Sequence, residues 1–366
     1  MQPSYIYHSN LFNSTYFERV LSDEAFPRKR ELPLDGHDRL EKLIGLWLSV
    51  RPLFVKDLPE SKYKDIPCVG LPASLEMNSR TNEDDVENRL VLPVYEKVLG
   101  FECQKQQSME LTGLSNEIQK RTKKPDLVIF PDKQKKQAAL NLAGEHKKAV
   151  CAISFCSDAD FIVDAKKFSK GIGADEESGI PKEGSAAQDI EQVSRYLQGC
   201  GKKWGVLTNG RCWRLMRAGT PRDHLRFDLV LFLEHIISRE NLSENSKIQN
   251  QMIRDEDLAV FNLFWHFFGL PAVSGGYLDL LLSESEANTR RVKDILRENA
   301  HIAVQEIAQG FLRHPENGYP EKPGQAQLDH LRELSLVFLY RLLFVLKAEA
   351  QGLLKLKDDK GAPTLY

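Results

Sequence analysis

The chain of 366 residues is long enough for two or three domains, and 42% hydrophobic against 28% charged residues supplies real cores, which excludes intrinsic disorder. Lys and Arg number 50 and Asp and Glu 52, so the formal charge of -2 gives no global field that would announce nucleic acid or a membrane, and charge must be read locally. The longest apolar run, Leu334 to Leu346, is 13 residues interrupted by Ser335, Tyr340 and Arg341, too short to span a bilayer. The N-terminus lacks a basic stretch followed by an apolar one, and the six cysteines (Cys68, Cys103, Cys151, Cys156, Cys200, Cys212) are scattered without a C-x-x-C, as suits buried free thiols. These features point to a soluble protein of a reducing cytoplasm, with no membrane partner.

In chain order, "NLFNSTYFERVLSD" and "DGHDRLEKLIGLWLSV" have helical spacing, and the Pro-bearing stretch from Arg51 to Pro72 reads as irregular connection. "DDVENRLVLPVYEKVLG" predicts a helix with acids in its first turn, Val86, Leu90, Val94 and Val98 four apart, a kink at Pro93 and a stop at Gly100. The period then changes. "DLVIF", "AVCAISF" and "FIVDAK" read as short strands separated by lysine-rich turns, and "SAAQDIEQVSRYLQG" as a helix closed by Gly199. "WGVLT" and "CWRLMR" around Asn-Gly predict a hairpin, and "LRFDLVLF" one more strand. From about Ile236 onward the pattern is helical. The division that results is a mostly helical segment over 1–82, a core over 83–235 and a helical domain over 236–366. The fold class expected is α/β, a mixed sheet flanked by helices, followed by an all-α domain.

The runs "KPDLVIF" and "FIVDAKKF" carry the chemistry. Alternate side chains of a strand share a face, so Asp164 and Lys166 point the same way, and Asp126 at the edge of the other strand can converge on them. Two carboxylates with the intervening Ala165 carbonyl make a hard-oxygen site of the kind Mg²⁺ prefers. A lysine beside it can orient an attacking water and offset charge developing on a phosphate. The chemistry implied is metal-assisted phosphodiester hydrolysis.

That spacing resembles the PD-(D/E)xK nucleases at Pro125-Asp126 and Asp164-Ala165-Lys166. In that superfamily a helix bearing a glutamate precedes the strands, the place of Glu87, and some members carry a later Gln-x-x-x-Tyr helix, matched by Gln192 and Tyr196. Over a longer stretch, "LFNSTYFERVL", "ENRLVLPVYEKVLGF", "PDLVIF", "FIVDAKKF", "QDIEQVSRYL", "KKWGVLTNGRCWRL" and "LSLVFLYRLLFVLKAEAQGLL" look in order like the N-terminal part of type IIG restriction-modification enzymes. There a nuclease is joined through a helical connector to an adenine-specific DNA methyltransferase. No Asn-Pro-Pro-Tyr or Asp-Pro-Pro-Tyr occurs in this sequence, so modification and site recognition are not expected of it. The resemblance implies a restriction-endonuclease-like core over 83–235 and a connector over 236–366. It also implies catalytic Asp126, Asp164 and Lys166, a Mg²⁺ site of Asp126 and Asp164 to which Glu87 adds a ligand, Gln192 and Tyr196 supporting the site or touching the DNA backbone, and two partners: double-stranded DNA and a separate methyltransferase or recognition subunit.

Each residue has a plainer alternative. Asp126, Asp164 and Lys166 would serve as solvated strand-end charges; Glu87, with Glu83, Asp84 and Asp85, would serve a helix dipole. Gln192 and Tyr196 would be two positions of an ordinary amphipathic helix. Between Lys120 and Lys148 nine Lys or Arg face three acids, either a phosphate-contacting patch or a solvated turn region. The nine histidines show no close pairing that suggests zinc, and "KGIGADEESG" lacks the spacing of a phosphate cradle. The function expected is a Mg²⁺-dependent deoxyribonuclease of a phage-defence system. The alternative is a cleavage-incompetent remnant or adaptor scaffold that docks a methyltransferase. The last helix, apolar around nearly its whole circumference from Leu334 to Leu346, should be buried on several sides, covered in part by preceding helices and for the rest by a partner.

Overall fold

A computed structural model describes residues 5–9, 11–21, 33–57, 75–78, 80–111, 124–145, 150–170, 172, 186–220, 223–243, 252–320 and 322–350. The chain divides into two compact units, Met1–Glu286 and Ala287–Tyr366. The first begins with β1 (Ile6–Ser9), α1 (Ser14–Leu21), α2 (Gly36–Phe54) and a small antiparallel pair, β2 (Val55–Asp57) with β3 (Leu75–Met77). A helical stretch follows, opened by α3 (Glu83–Val86) and continued by wide π-type turns at Glu87–Val91 and Val94–Val98. Next come β4 (Glu102–Lys105), β5 (Met109–Glu110), β6 (Leu127–Phe130), α4 (Lys133–Glu145), β7 (Val150–Cys151), α5 (Ala152–Phe155), β8 (Phe161–Ala165) and α6 (Ala186–Gly199). The hairpin β9 (Trp204–Thr208) and β10 (Cys212–Arg217) leads to β11 (His224–Asp228), α7 (Leu229–Glu240), α8 (Asp255–Phe268) and α9 (Leu270–Val273). The division between the units falls inside α10 (Tyr277–Arg313).

Seven strands form one mixed sheet in the order β1-β11-β10-β9-β8-β6-β4, antiparallel throughout except for the parallel pair β8 and β9. Helices cover both faces, which is why Leu127, Val128, Ile129 and Phe130 are all buried rather than alternating with polar residues. Leu127, Ile129, Phe161 and Val163 join the core built with α1, α2, the 83–98 helix, α7 and α8. Val128, Phe130, Ile162 and Leu207 join the opposite core, with Ala139 of α4, Phe155 of α5 and Val193, Tyr196 and Leu197 of α6. The sheet is thus the middle layer of an α/β arrangement, and a helical region follows it, as expected.

Several elements differ from the sequence reading. The run "AVCAISF" is extended only at Val150–Cys151 and turns helical at Ala152, because Ala152 and Phe155, three apart, are the residues that reach the core. The strand expected through Phe232 ends at Asp228, whose side chain accepts the N–H of Leu231 at 3.0 Å and caps α7. At Pro93 the helix is accommodated by bonds five residues apart, Leu92 N–H to Glu87 O before it and Leu99 N–H to Val94 O after it. The hairpin forms as expected, with Gly210 at φ +81°. A Cβ on Gly210 would lie 2.8 Å from Leu90 Cδ2, so the bare glycine lets the hairpin tip sit against the 83–98 helix.

The expected boundaries at 82/83 and 235/236 do not coincide with the two units. Residues before 83 contribute β1, antiparallel to β11, while α7 and α8 fill the same core as the sheet. The second unit consists of the rest of α10, a short 3₁₀ turn at Pro315–Asn317 and α11 (Gln325–Ala350). Within it Phe311 packs edge-on against Phe338 at 6.0 Å. Within this chain α11 is covered only in part, and it leaves the apolar surface expected of it without a partner. Leu331 and Ser335 are buried, but the large apolar residues from Leu336 to Leu346 that are exposed range from 44% to 73%. No helix among the described residues is long and apolar enough to cross a membrane.

Candidate functional site

The register of β6 on β8 pairs Val128 with Ile162 and Leu127 with Val163; one step further, Asp126 comes opposite Asp164. Directly opposed residues of an antiparallel pair share a face. Asp126 holds this position through two bonds: its carbonyl accepts the N–H of Gln106 at 2.9 Å, extending the β4 ladder, and its Oδ2 accepts the N–H of Ala165 at 2.7 Å. A side chain has replaced the backbone as the partner of β8. On β8, Val163 faces the α2 and α8 core while Ile162 faces α6; alternation carries Asp164 and Lys166 to the α6 side with Ile162. Lys166 N–H donates to Thr208 O at 2.7 Å, so the parallel pairing with β9 fixes the backbone that carries the lysine.

These are not solvated strand-end charges. Asp164 is 1% exposed and Lys166 5%, with Lys166 Nζ 2.5 Å from Asp164 Oδ2. Burying an ion is costly unless it is paired, and a pair so enclosed is weak support for stability compared with an apolar equivalent. Two more buried acids nearby are also matched with lysines: Glu87 Oε1 lies 2.8 Å from Lys105 Nζ, and Asp189 Oδ2 lies 2.6 Å from Lys170 Nζ. Asp126 stands apart, since no ion pair joins it among the described residues and its bond is to the backbone of Ala165.

The electrostatics follow. Burial pushes the Asp126 carboxyl well above its ordinary value; the negative charge of Asp164 adds to this, the Ala165 N–H and Lys166 oppose it, and Glu87 adds a further push. Asp164 is raised by burial too, with Lys166 pulling it back and Asp189 and Glu83 pushing it up. For Lys166 burial acts downward, but Asp164, Asp189 and Asp126 together hold its ammonium above the usual lysine value. Acids with raised affinity for a proton around a lysine that stays charged are a cluster short of positive charge.

Glu87 is not serving the helix terminus. That role belongs to Asn82 and Asp85, which form a capping box in which Asn82 Oδ1 accepts Asp85 N–H at 2.7 Å. Glu87 is 2% exposed, one turn deeper, where its charge acts on Asp126. Gln192 and Tyr196 meet as neighbours on one helical face, with Gln192 Nε2 donating to Tyr196 Oη at 2.7 Å. Burial raises the Tyr196 hydroxyl, and Asp164 and Asp126 add to this, so the ring lies within the field of the acids. Tyr196 is fully buried, whereas Gln192 is only half-buried and keeps access to solvent.

No group of three or more His, Cys, Asp or Glu among the described residues is arranged to hold a metal ion. Glu87 is paired with Lys105 as Asp164 is with Lys166, and the two acids that the register of β6 on β8 sets opposite one another are Asp126 and Asp164, with the β8 backbone between them. Two hard oxygen ligands fit Mg²⁺, which keeps several waters, and would not satisfy zinc. The raised carboxyls accord with such a site, because a bound cation would supply the charge the cluster lacks.

Lys105, Lys170 and Asp189 were not singled out by sequence. Lys105 lies in a strand of mixed polarity and Lys170 and Asp189 beside a Gly-rich loop, and only the pairing of β4 with β6 and the packing of α6 on β8 join them to the acids. Of the basic stretch, residues 120–123 and 146–148 lie outside the described residues; Lys124, Lys133 and Lys135 are exposed, and Lys136 pairs with Glu102 at 3.3 Å. The loop "SKGIGADEESGIPKEGS" also falls mostly outside them. Comparison with protein-family models, with curated proteins and with solved structures finds no match.

Proposed function

We propose that this chain is a Mg²⁺-dependent DNA endonuclease module, of the kind found in type IIG restriction-modification systems, that hydrolyses phosphodiester bonds in double-stranded DNA. The observation that carries the reading is Asp126 set opposite Asp164 with Lys166 buried 2.5 Å from Asp164 on the same face. Asp126 and Asp164 would hold the cation. When bound, it supplies Lewis-acid chemistry and a more acidic water. Lys166, held charged by three acids, would orient the attacking water and offset the charge that builds on the phosphate. The half-buried Gln192, anchored by Tyr196, offers an amide to the DNA backbone, and the exposed Lys124, Lys133 and Lys135 offer salt-sensitive contacts to neighbouring phosphates.

The test is cleavage of supercoiled duplex DNA by the full chain, alone and with a methyltransferase encoded beside it, in Mg²⁺ and in chelator. Asp126→Asn, Asp164→Asn and Lys166→Ala should each reduce Mg²⁺-dependent cutting by at least about 100-fold, the scale on which a single electrostatic element of an active site acts. Variants that remain folded and cut like the parent would refute the assignment. One observation favours a second reading, a non-cleaving scaffold that docks a methyltransferase: the exposed apolar residues of α11 are what a partner surface presents. Absence of cutting by the parent, together with co-purification of the neighbouring methyltransferase, would establish that reading instead.

A further inference from the structure

The pairing of buried acids with lysines raises a problem that the proposed reaction must solve. Lys166 Nζ occupies Asp164 Oδ2 at 2.5 Å, the carboxylate that the reading above assigns to a cation. A divalent cation held by Asp164 would repel the ammonium resting on the same carboxylate, which favours movement of Lys166 off this contact when a cation is held. Lys166 is 5% exposed and cannot carry its charge out to solvent without moving the strand end; it needs another carboxylate within the protein.

Asp189 is that carboxylate. It projects from the first turn of α6, the helix packed on β8, and is itself buried. Spaced four and seven residues before Val193 and Tyr196, it lies on the helix face that packs on the Ile162 side of the sheet, the side to which Asp164 and Lys166 point, and its charge acts on both. Its Oδ2 touches Lys170 Nζ at 2.6 Å, and a carboxylate, with about four lone-pair sites, can accept a second ammonium beside the first. Lys170 differs from Lys166 in one decisive respect: its side chain is 29% exposed, so its long stem can turn the ammonium toward water.

We propose that Asp189 is a positioning residue that receives Lys166 when Asp164 turns to a divalent cation, and that Lys170 is released toward the surface in exchange. Positive charge then moves outward by one place along the series Asp164, Lys166, Asp189, Lys170, and each buried acid keeps a counter-charge throughout. The exchange gives a reason for Asp189 and Lys170 that a fixed ion pair would not, and it delivers a mobile lysine to the rim where a phosphate would approach. It rests on the metal-dependent reading of Asp126 and Asp164.

Calorimetric titration of the full chain with Mg²⁺ and Mn²⁺, without DNA, tests it through a double-mutant cycle. Asp189→Asn should weaken cation binding about tenfold in the parent background and less than about twofold in Lys166→Ala, where no lysine needs a new partner. Lys170→Ala, used at a temperature where circular dichroism shows it folded because it leaves the buried Asp189 without its lysine, should strengthen binding in the parent by removing the competitor for Asp189, and again leave Lys166→Ala unchanged. Equal effects in both backgrounds would mean that Asp189 and Lys170 act only through their general field, and the exchange would be overturned. No effect of either substitution in the parent would overturn it as well. A parent that binds neither cation, by contrast, would remove the metal-dependent reading itself.

Discussion

β6 and the middle of α11 are both strongly apolar, yet they live in opposite surroundings. Leu127 to Phe130 are fully buried because helices cover both faces of the sheet, while Leu336, Val337, Phe338, Leu342, Leu343 and Phe344 lie on the surface of α11 with 44% or more of each exposed. The charges are distributed the other way. In the first unit Glu87, Asp164, Lys166 and Asp189 are buried among apolar neighbours, whereas the charged residues of α11 stand in solvent. Folding energetics alone favour neither arrangement, since buried ions and exposed apolar side chains both forgo stability. Each inversion is therefore a place where something other than the stability of the chain's own core accounts for the residues present; under the function proposed above, it would be chemistry in the first unit and contact with another surface in the second.

Substitutions can break or sharpen this contrast. The largest effect should come from Lys166→Met, which leaves the Asp164 carboxylate buried without its partner and should cost about 3–5 kcal/mol in urea unfolding. Ile162→Ala, on the same strand and the same face, removes buried apolar volume beneath α6 and should cost about 2–4 kcal/mol. If Lys166→Met cost nothing, the pair would not be buried in solution.

The pH dependence is a smaller and more selective probe. The Asp126 carboxyl is raised from 3.8 to about 7, so the folded protein binds that proton more tightly than the unfolded chain does. Its contribution to stability is complete below the unfolded value of 3.8 and is lost as the pH rises through about 7. Asp126→Asn removes this dependence. In thermal melts the variant should therefore gain on the parent as the pH is raised from about 5 to about 8, and a difference that stays flat across that range would mean Asp126 is solvated.

The smallest effect belongs to α11. Phe344→Ser should change stability by no more than about 0.5 kcal/mol, as surface substitutions do, while lowering any tendency to self-associate in light scattering. A cost matching that of Ile162→Ala would place Phe344 in a core and end the contrast.

Much of the first unit was legible because its local signals agree with one another. Asp164 and Lys166 could be placed on one face by the two-residue period of a strand, and Gln192 and Tyr196 on one face by the four-residue spacing of a helix, while the register of β6 on β8 was needed to bring Asp126 to them. What failed to show were features decided by distant partners. The strand at Val150–Cys151 ends after two residues because Ala152 and Phe155 reach the core only from a helical turn. Nothing local to "IYHS" says that it will close the edge of the sheet against β11. Lys105, Lys170 and Asp189 become part of the candidate site through packing across β4, β8 and α6, which no spacing rule records. For α11 the apolar periodicity correctly announced a helix, but burial is a property of two surfaces, and the sequence of one does not contain the other.

The most direct measurement is a crystal of the full chain grown with Mn²⁺, with anomalous diffraction used to place the ion. The account predicts one site between the carboxylates of Asp126 and Asp164, with oxygens at about 2.1 Å, and Lys166 drawn away from Asp164. An ion bound elsewhere, or Asp126 and Asp164 left without one while Lys166 remains on Asp164, would contradict it.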